Sequence, residues 1–224
     1  MSIITIDPSI SCTAMVIDDK KFIFTNKSYA STKSGLNKWF TKCKDFIHYE
    51  ILDDLEHCPD YSLLEIKKIK RFNEIAESIF NTIAKNTKSQ STLKVFIEGY
   101  SYSSNSGPII DLVTLGTLIR NKCISIADSV HIISPKTLKI ETCKFVYPPT
   151  QVKKKIEYRN LNGVSGGKFT KTEMCQALID SNLSCDWSKF LRDNKDEVFK
   201  NKSIPKPIED INDAKLMFEI YKHK

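Results

Sequence analysis

The sequence predicts an α/β fold: a mixed five-stranded sheet that opens as an antiparallel meander, continues in parallel strands, and carries helices on its faces. Three observations point there. The first 27 residues hold three short β-rich runs separated by turns. Strand and helix patterns alternate from residue 93 to residue 133, and apolar stripes at three- and four-residue spacing mark helices on either side of that stretch. The 224 residues suffice for one sizeable core, and a single domain over 1–224 is expected.

Taken in order, Ser2 to Asp7, Thr13 to Ile17 and Lys21 to Thr25 read as strands, with Asp18-Asp19-Lys20 as the turn between the last two. Residues 35–60 carry Trp39, Phe40, Phe46 and Tyr49 but no assignable period. From Ser62, the residues Leu64, Ile66, Ile69, Phe72, Ile75, Ile79 and Ile83 form one stripe opposite Lys68, Lys70, Glu74 and Glu77, which is a long amphipathic helix. Leu93 to Glu98 is a mostly apolar strand, hence central in the sheet, and Pro108 to Cys123 is a helix with Ile109, Leu112, Leu115 and Ile119 on one face. Ser129 to Ile133 is the fifth strand, and Ser134-Pro135 starts a helix with proline near its first position. Residues 144–171 hold Pro148-Pro149, Lys153-Lys154-Lys155 and a glycine-rich stretch from Gly163 to Gly167, the signature of a basic loop or hairpin. A helix resumes over Thr172 to Asp180, Ser203 to Pro207 is a connector, and Ile208 to Tyr221 is the closing helix.

Charge and cysteine content narrow the function. The net charge is +7, and residues 144–171 carry seven Lys and Arg against Glu157 alone, so nearly all of the excess sits in one segment. That concentration suits a polyanionic partner better than a diffuse excess would. The seven cysteines are odd in number and scattered, with no C-x-x-C pair and no zinc spacing, so free thiols in a reducing compartment are expected. No run of 18 apolar residues exists to form a membrane helix, and the N-terminus lacks the pattern of a signal peptide. An intracellular location is expected, in the cytoplasm or nucleoid of a host or at a viral replication site.

The acidic residues stand out by position. Asp7 ends the first strand before Pro8, Glu98 ends the strand Val95-Phe96-Ile97 before Gly99, and Asp210 and Asp213 lie three apart near the start of the closing helix, hence on one face. Carboxylates converging from strand ends and a helix repel one another unless a cation neutralises them. An all-oxygen donor set suits Mg²⁺ or Mn²⁺ rather than zinc.

These residues carry a resemblance. Ile4-Thr5-Ile6-Asp7-Pro8-Ser9-Ile10-Ser11-Cys12-Thr13-Ala14 resembles the opening motif of the RuvC-type Holliday junction resolvases, Val95-Phe96-Ile97-Glu98 is similar to their second acidic strand, and Asp210-Ile211-Asn212-Asp213-Ala214 looks like their closing D-x-x-D-A helix. Ser134 to Lys139 and Gly167 to Lys171 are similar to stretches in which the family carries functional lysines, matched here by Lys139 and Lys171. The resemblance covers residues 1 to about 27 and 93 to 220, and the segments around 35–60, 144–166 and 182–207 look like insertions. The aromatic three positions after the second acid is replaced by Ser101, flanked by Tyr100 and Tyr102.

The resemblance implies an RNase H-like fold and a Mg²⁺- or Mn²⁺-dependent endonuclease on four-way junctions in DNA recombination and repair, acting as a homodimer. It assigns Asp7, Glu98, Asp210 and Asp213 to two metal ions in each site, and Lys139 or Lys171 to the scissile phosphate. Tyr100 and Tyr102 are candidates either to stack on an unpaired base or to pack on the sheet. Lys153, Lys154, Lys155, Arg159 and Lys168 are candidates to track DNA phosphates. An RNase H-like nuclease of flaps or RNA–DNA hybrids is the nearest alternative. The actin-like ATPases and sugar kinases share the sheet topology but need glycine-rich phosphate loops, which a chain with seven glycines does not supply.

Overall fold

A computed structural model describes residues 1–33, 35–88, 92–100, 106–152 and 155–223, with the side chains of 106–108 and 152 left undescribed. The central strands are buried on both faces, their side chains alternating between two helical layers. Strand β1 (Ser2–Asp7) pairs antiparallel with β2 (Cys12–Ile17), which pairs antiparallel with β3 (Lys20–Asn26). The turn between β2 and β3 places Asp18 and Asp19 at positive φ, a conformation Asp tolerates better than most residues. Asp18 also accepts from the Ile3 amide at 2.8 Å, tying the turn to β1.

A short helix α1 (Lys27–Ala30), a small ribbon of β4 (Ser31–Thr32) and β5 (Gly35–Leu36), and helix α2 (Lys38–Lys42) lead to β6 (Ile47–Leu52). The long helix α3 (Tyr61–Asn86) then precedes β7 (Leu93–Glu98), helix α4 (Ser106–Ile126), β8 (Ser129–Ile133) and helix α5 (Pro135–Val146). Beyond these lie a hairpin of β9 (Pro149–Val152) and β10 (Lys155–Tyr158), a 3-10 turn at Gly166–Lys168, and helices α6 (Lys171–Asp180), α7 (Asp186–Asp193), α8 (Lys195–Val198) and α9 (Ile208–Tyr221). None of the described helices is long and apolar enough to cross a membrane.

The main sheet has the order β6-β3-β2-β1-β7-β8, with β1, β7 and β8 mutually parallel and β6 parallel to β3. Its β3-β2-β1-β7-β8 portion is the expected antiparallel meander followed by parallel strands, in an RNase H-like arrangement. The sixth strand, β6, comes from the segment 35–60. It is a half-exposed edge strand whose polar residues have local uses: His48 stacks on Phe22, and Glu50 accepts a hydrogen bond from Ser78. Those uses blur the alternation by which a strand is recognised.

Alternation divides the core. Ile4, Ile6, Met15, Ile17, Val95 and Ile97 point to α3 and α4, which bury Phe72, Ile75, Ile79, Leu115 and Ile119 against them. Ile3, Ala14, Val16, Ile23 and Phe96 point to the other face, covered by α9, α5, α6 and α7. Helix α9 crosses β1 and β2 and is buried along its length. Its Lys215, fully buried, pairs with Asp19 and Glu219, so an ionic anchor joins the helix to the β2–β3 turn. The segment 182–207, which looked like an insertion, holds α7 and α8, and α7 drives Trp187 into the core, where its indole donates to Asn212 on α9 at 3.0 Å.

Candidate metal centre and nucleic-acid face

The same alternation that places Ile3 and Phe96 under α9 places Asp7 and Glu98 there too, at the C-terminal ends of their strands. Thr5 pairs with Phe96 and Ile6 with Ile97, so Asp7 and Glu98 end side by side on neighbouring parallel strands. Helix α9 delivers Asp213 from above. One ligand oxygen from each of Asp7, Glu98 and Asp213 lies within 4.8 Å of the others.

The electrostatics are those of a site short of positive charge. Burial, with the neighbouring charge of Asp213, pushes the Asp7 carboxyl up to about 6 despite the opposing pull of Lys171. Burial and the charges of Asp7 and Asp213 likewise push Glu98 well up. Glu98 Oε2 and Asp213 Oδ1 are buried without a hydrogen-bond partner. A buried carboxylate oxygen with no donor is costly, and an oxygen-seeking cation relieves that cost. The residues present therefore fit a hard divalent ion.

Lys171 opens α6, where Thr170 and Glu173 form a capping box that fixes the first turn. Its ammonium pairs with Asp213. Burial would lower its pKa, but Asp213, Asp7 and Glu98 outweigh that and hold it above the ordinary lysine value. Against the pull of burial, hydrogen bonds from the Thr170 hydroxyl and amide hold the Glu173 carboxyl at the start of α6 below its usual range, with the charge of Lys139, half-buried on α5, adding to their effect. Among the described residues no ion pair joins Lys139 to the three carboxylates.

Asp210 is not part of the three-carboxylate set. Its two oxygens accept from the Tyr29 hydroxyl at 3.2 and 3.0 Å, and Oδ1 also accepts from Lys206 at 3.0 Å. Tyr29 and Lys206 are the site-side residues that sequence reasoning missed. Tyr29 carried no signal in the short helix α1, and Lys206 sat four residues before Asp210, which in a helix-like turn is a signal for contact.

The expected DNA-contacting residues divide. Tyr102, Lys153 and Lys154 lie outside the described residues. Tyr100 packs on α4: its hydroxyl donates to the Val113 carbonyl at 3.2 Å, the Arg120 guanidinium sits 4.2 Å from its ring centroid, and Gly116 leaves room for it. Of its two readings, packing is the one this geometry favours. Arg159 is committed within the hairpin region, bonding Glu157 and, at 2.7 Å, the Gly163 carbonyl. Lys155 and Lys168 are exposed. The expected basic loop or hairpin is thus a hairpin followed by a 3-10 turn.

No protein-family model matches the chain, and no curated protein matches it either. Among solved structures, Thermus thermophilus RuvC aligns with 100% of this chain and 96% of its own length, at 11% identity and a TM-score of 0.47. This chain is similar to RuvC. T. thermophilus RuvC in complex with a Holliday junction substrate aligns over 100% of this chain and 95% of its own, at 10% identity and a TM-score of 0.47. The Aquifex aeolicus member of the Ppx/GppA family covers 92% of this chain and 64% of its own length, at 11% identity and a TM-score of 0.29.

Proposed function

We propose that this chain is a divalent-metal-dependent endodeoxyribonuclease that hydrolyses phosphodiester bonds in branched DNA, with the four-way junction as its principal substrate in recombination and repair. The observation that carries this reading is the convergence of Asp7, Glu98 and Asp213, with buried donor-less oxygens on two of them. Asp7, Glu98 and Asp213 would hold Mg²⁺ or Mn²⁺. Bound there, the ion supplies Lewis acidity toward water and the leaving 3′-oxygen.

The protein's own part is placement and charge. The β1–β7 register sets the first two carboxylates side by side, and α9 fixes the third. Lys171, already beside Asp213, supplies positive charge to a phosphate that enters the site, and Lys139 flanks it. Exposed Lys155 and Lys168 extend a phosphate-tracking face away from the site, which makes binding salt-dependent. In this reading residues 1–224 work as one nuclease domain inside the cell. Two copies pair so that their sites address opposed strands.

The two-ion scheme that the resemblance implies needs Asp210 as a ligand, and Asp210 is already bonded to Tyr29 and Lys206. The test is Mg²⁺-dependent cleavage of a synthetic four-way junction by the wild type and Asp7→Asn, with a flap and an RNA–DNA hybrid alongside. Paired symmetrical nicks in the junction, lost in Asp7→Asn while junction binding persists, support the reading. Undiminished cleavage by Asp7→Asn sinks it, and preference for the flap or hybrid moves the substrate to the alternative class.

A further inference from the structure

Asp210 is the one acidic residue of the site whose surroundings are already complete. Both oxygens take the Tyr29 hydroxyl and one also takes the Lys206 ammonium. The same ammonium lies 3.3 Å from Glu209 and 5.6 Å from the Tyr29 ring centroid, so its position is set from three sides. The oxygens without partners belong instead to Glu98 and Asp213. Demand for a cation is therefore concentrated at the three-carboxylate set and is met by lysine at Asp210.

We infer that Lys206 is a further functional residue of this site: its ammonium takes the place of a second divalent ion at Asp210, so that the free protein holds one ion per chain, among Asp7, Glu98 and Asp213. Its side chain remains 36% exposed, which leaves the ammonium open toward an incoming phosphate. Bridging Asp210 and that phosphate, it supplies the positive charge a second ion would otherwise bring. The ion count rests on the geometry alone, and the phosphate role rests on the nuclease reading.

The experiment is calorimetric titration of Mn²⁺ into metal-stripped full-length protein, paired with junction cleavage. The wild type is expected to bind one ion per chain. Lys206→Gln, which keeps the chain length and removes the charge, is expected to bind two, because Asp210 and Glu209 lose their counter-ion. Lys206→Gln combined with Asp210→Asn is expected to return to one. Two ions of similar affinity in the wild type, or one in folded Lys206→Gln, would overturn the inference. Should Lys206→Gln fail to fold, the wild-type count decides alone. Cleavage by the double variant, which holds one ion and lacks the ammonium, is expected to fall about 100-fold or more, and undiminished cleavage there overturns the phosphate role. If the ion counts come out as stated and no protein cleaves any branched DNA, the nuclease reading fails and the ion count stands.

Discussion

The Thr5 hydroxyl donates a 2.7 Å hydrogen bond to the main-chain carbonyl of Ala214, joining β1 to α9 inside the core. Thr5 lies two residues before Asp7, and Ala214 follows Asp213, so this one bond couples the two elements that carry two of the three converging carboxylates. It also satisfies a polar side chain with no solvent exposure on a face otherwise packed with apolar groups.

Thr5→Val keeps the shape and removes the donor. It is expected to lower stability by about 1–2 kcal/mol, read by urea unfolding. Loosening the helix over the strand is also expected to weaken Mn²⁺ binding, whereas a bond of purely structural value would leave the ion affinity unchanged.

Asp7 makes stability depend on pH in a definite direction. Its folded carboxyl is raised from 3.8 to about 6, so the native state holds the proton more tightly than the unfolded chain does. The resulting stability is fully present below about pH 4 and is lost as pH rises through about 6. In metal-free buffer at pH 7, Asp7→Asn should therefore be more stable than the wild type by about 1–3 kcal/mol. The difference should shrink toward pH 4 and reverse in saturating Mg²⁺, where only the wild type gains the ion. Thermal melts across that range, with EDTA or Mg²⁺, measure it. A variant no more stable than wild type at pH 7 in EDTA would refute the assignment.

Gly166 is required by close approach. A Cβ there would lie 2.6 Å from the Cys143 Cβ and 2.9 Å from the Lys139 carbonyl oxygen. Gly166→Ala must push the 3-10 turn off α5 and, with it, the start of α6. A loss of about 1–3 kcal/mol is expected, together with weaker junction binding as Lys168 and Lys171 move. Wild-type melting and binding in that variant would show the turn to be free of α5.

Tyr100 should behave as a packing residue. Tyr100→Phe removes the bond to Val113 but keeps the ring under Arg120, and is expected to cost about 0.5–1.5 kcal/mol and leave DNA binding intact. Tyr100→Ala removes the ring as well and is expected to cost more. A loss of junction affinity in Tyr100→Phe with unchanged stability would return the residue to the DNA-contacting set.

The seven cysteines are unpaired, six of them buried, as their scattered positions led one to expect. Burial raises the thiol of Cys12 well above its ordinary value, with Asp210 adding to the effect, so it is a packing group rather than a nucleophile.

Local pattern alone specified the meander, the strand–helix alternation and four candidate carboxylates, Asp7, Glu98, Asp210 and Asp213, because each is local. Side-chain alternation in Ser2–Asp7 and Leu93–Glu98 sorts Asp7 and Glu98 to the face that also takes Ile3, Thr5 and Phe96, and the three-residue step from Asp210 to Asp213 is a property of any helix. Only the tertiary structure decided which acids meet. The orientation of α9 over β1 and β2 brings Asp213 to the strand ends, while Asp210, on the same helical face, meets Tyr29 from a short helix 181 residues away in the chain. The edge strand β6 was hidden because its stability comes from pairing with β3, a contact between distant segments that leaves no period in the strand. Helix α7 does carry a local signal, Trp187, Phe190 and Leu191 at helical spacing, in a stretch only eight residues long.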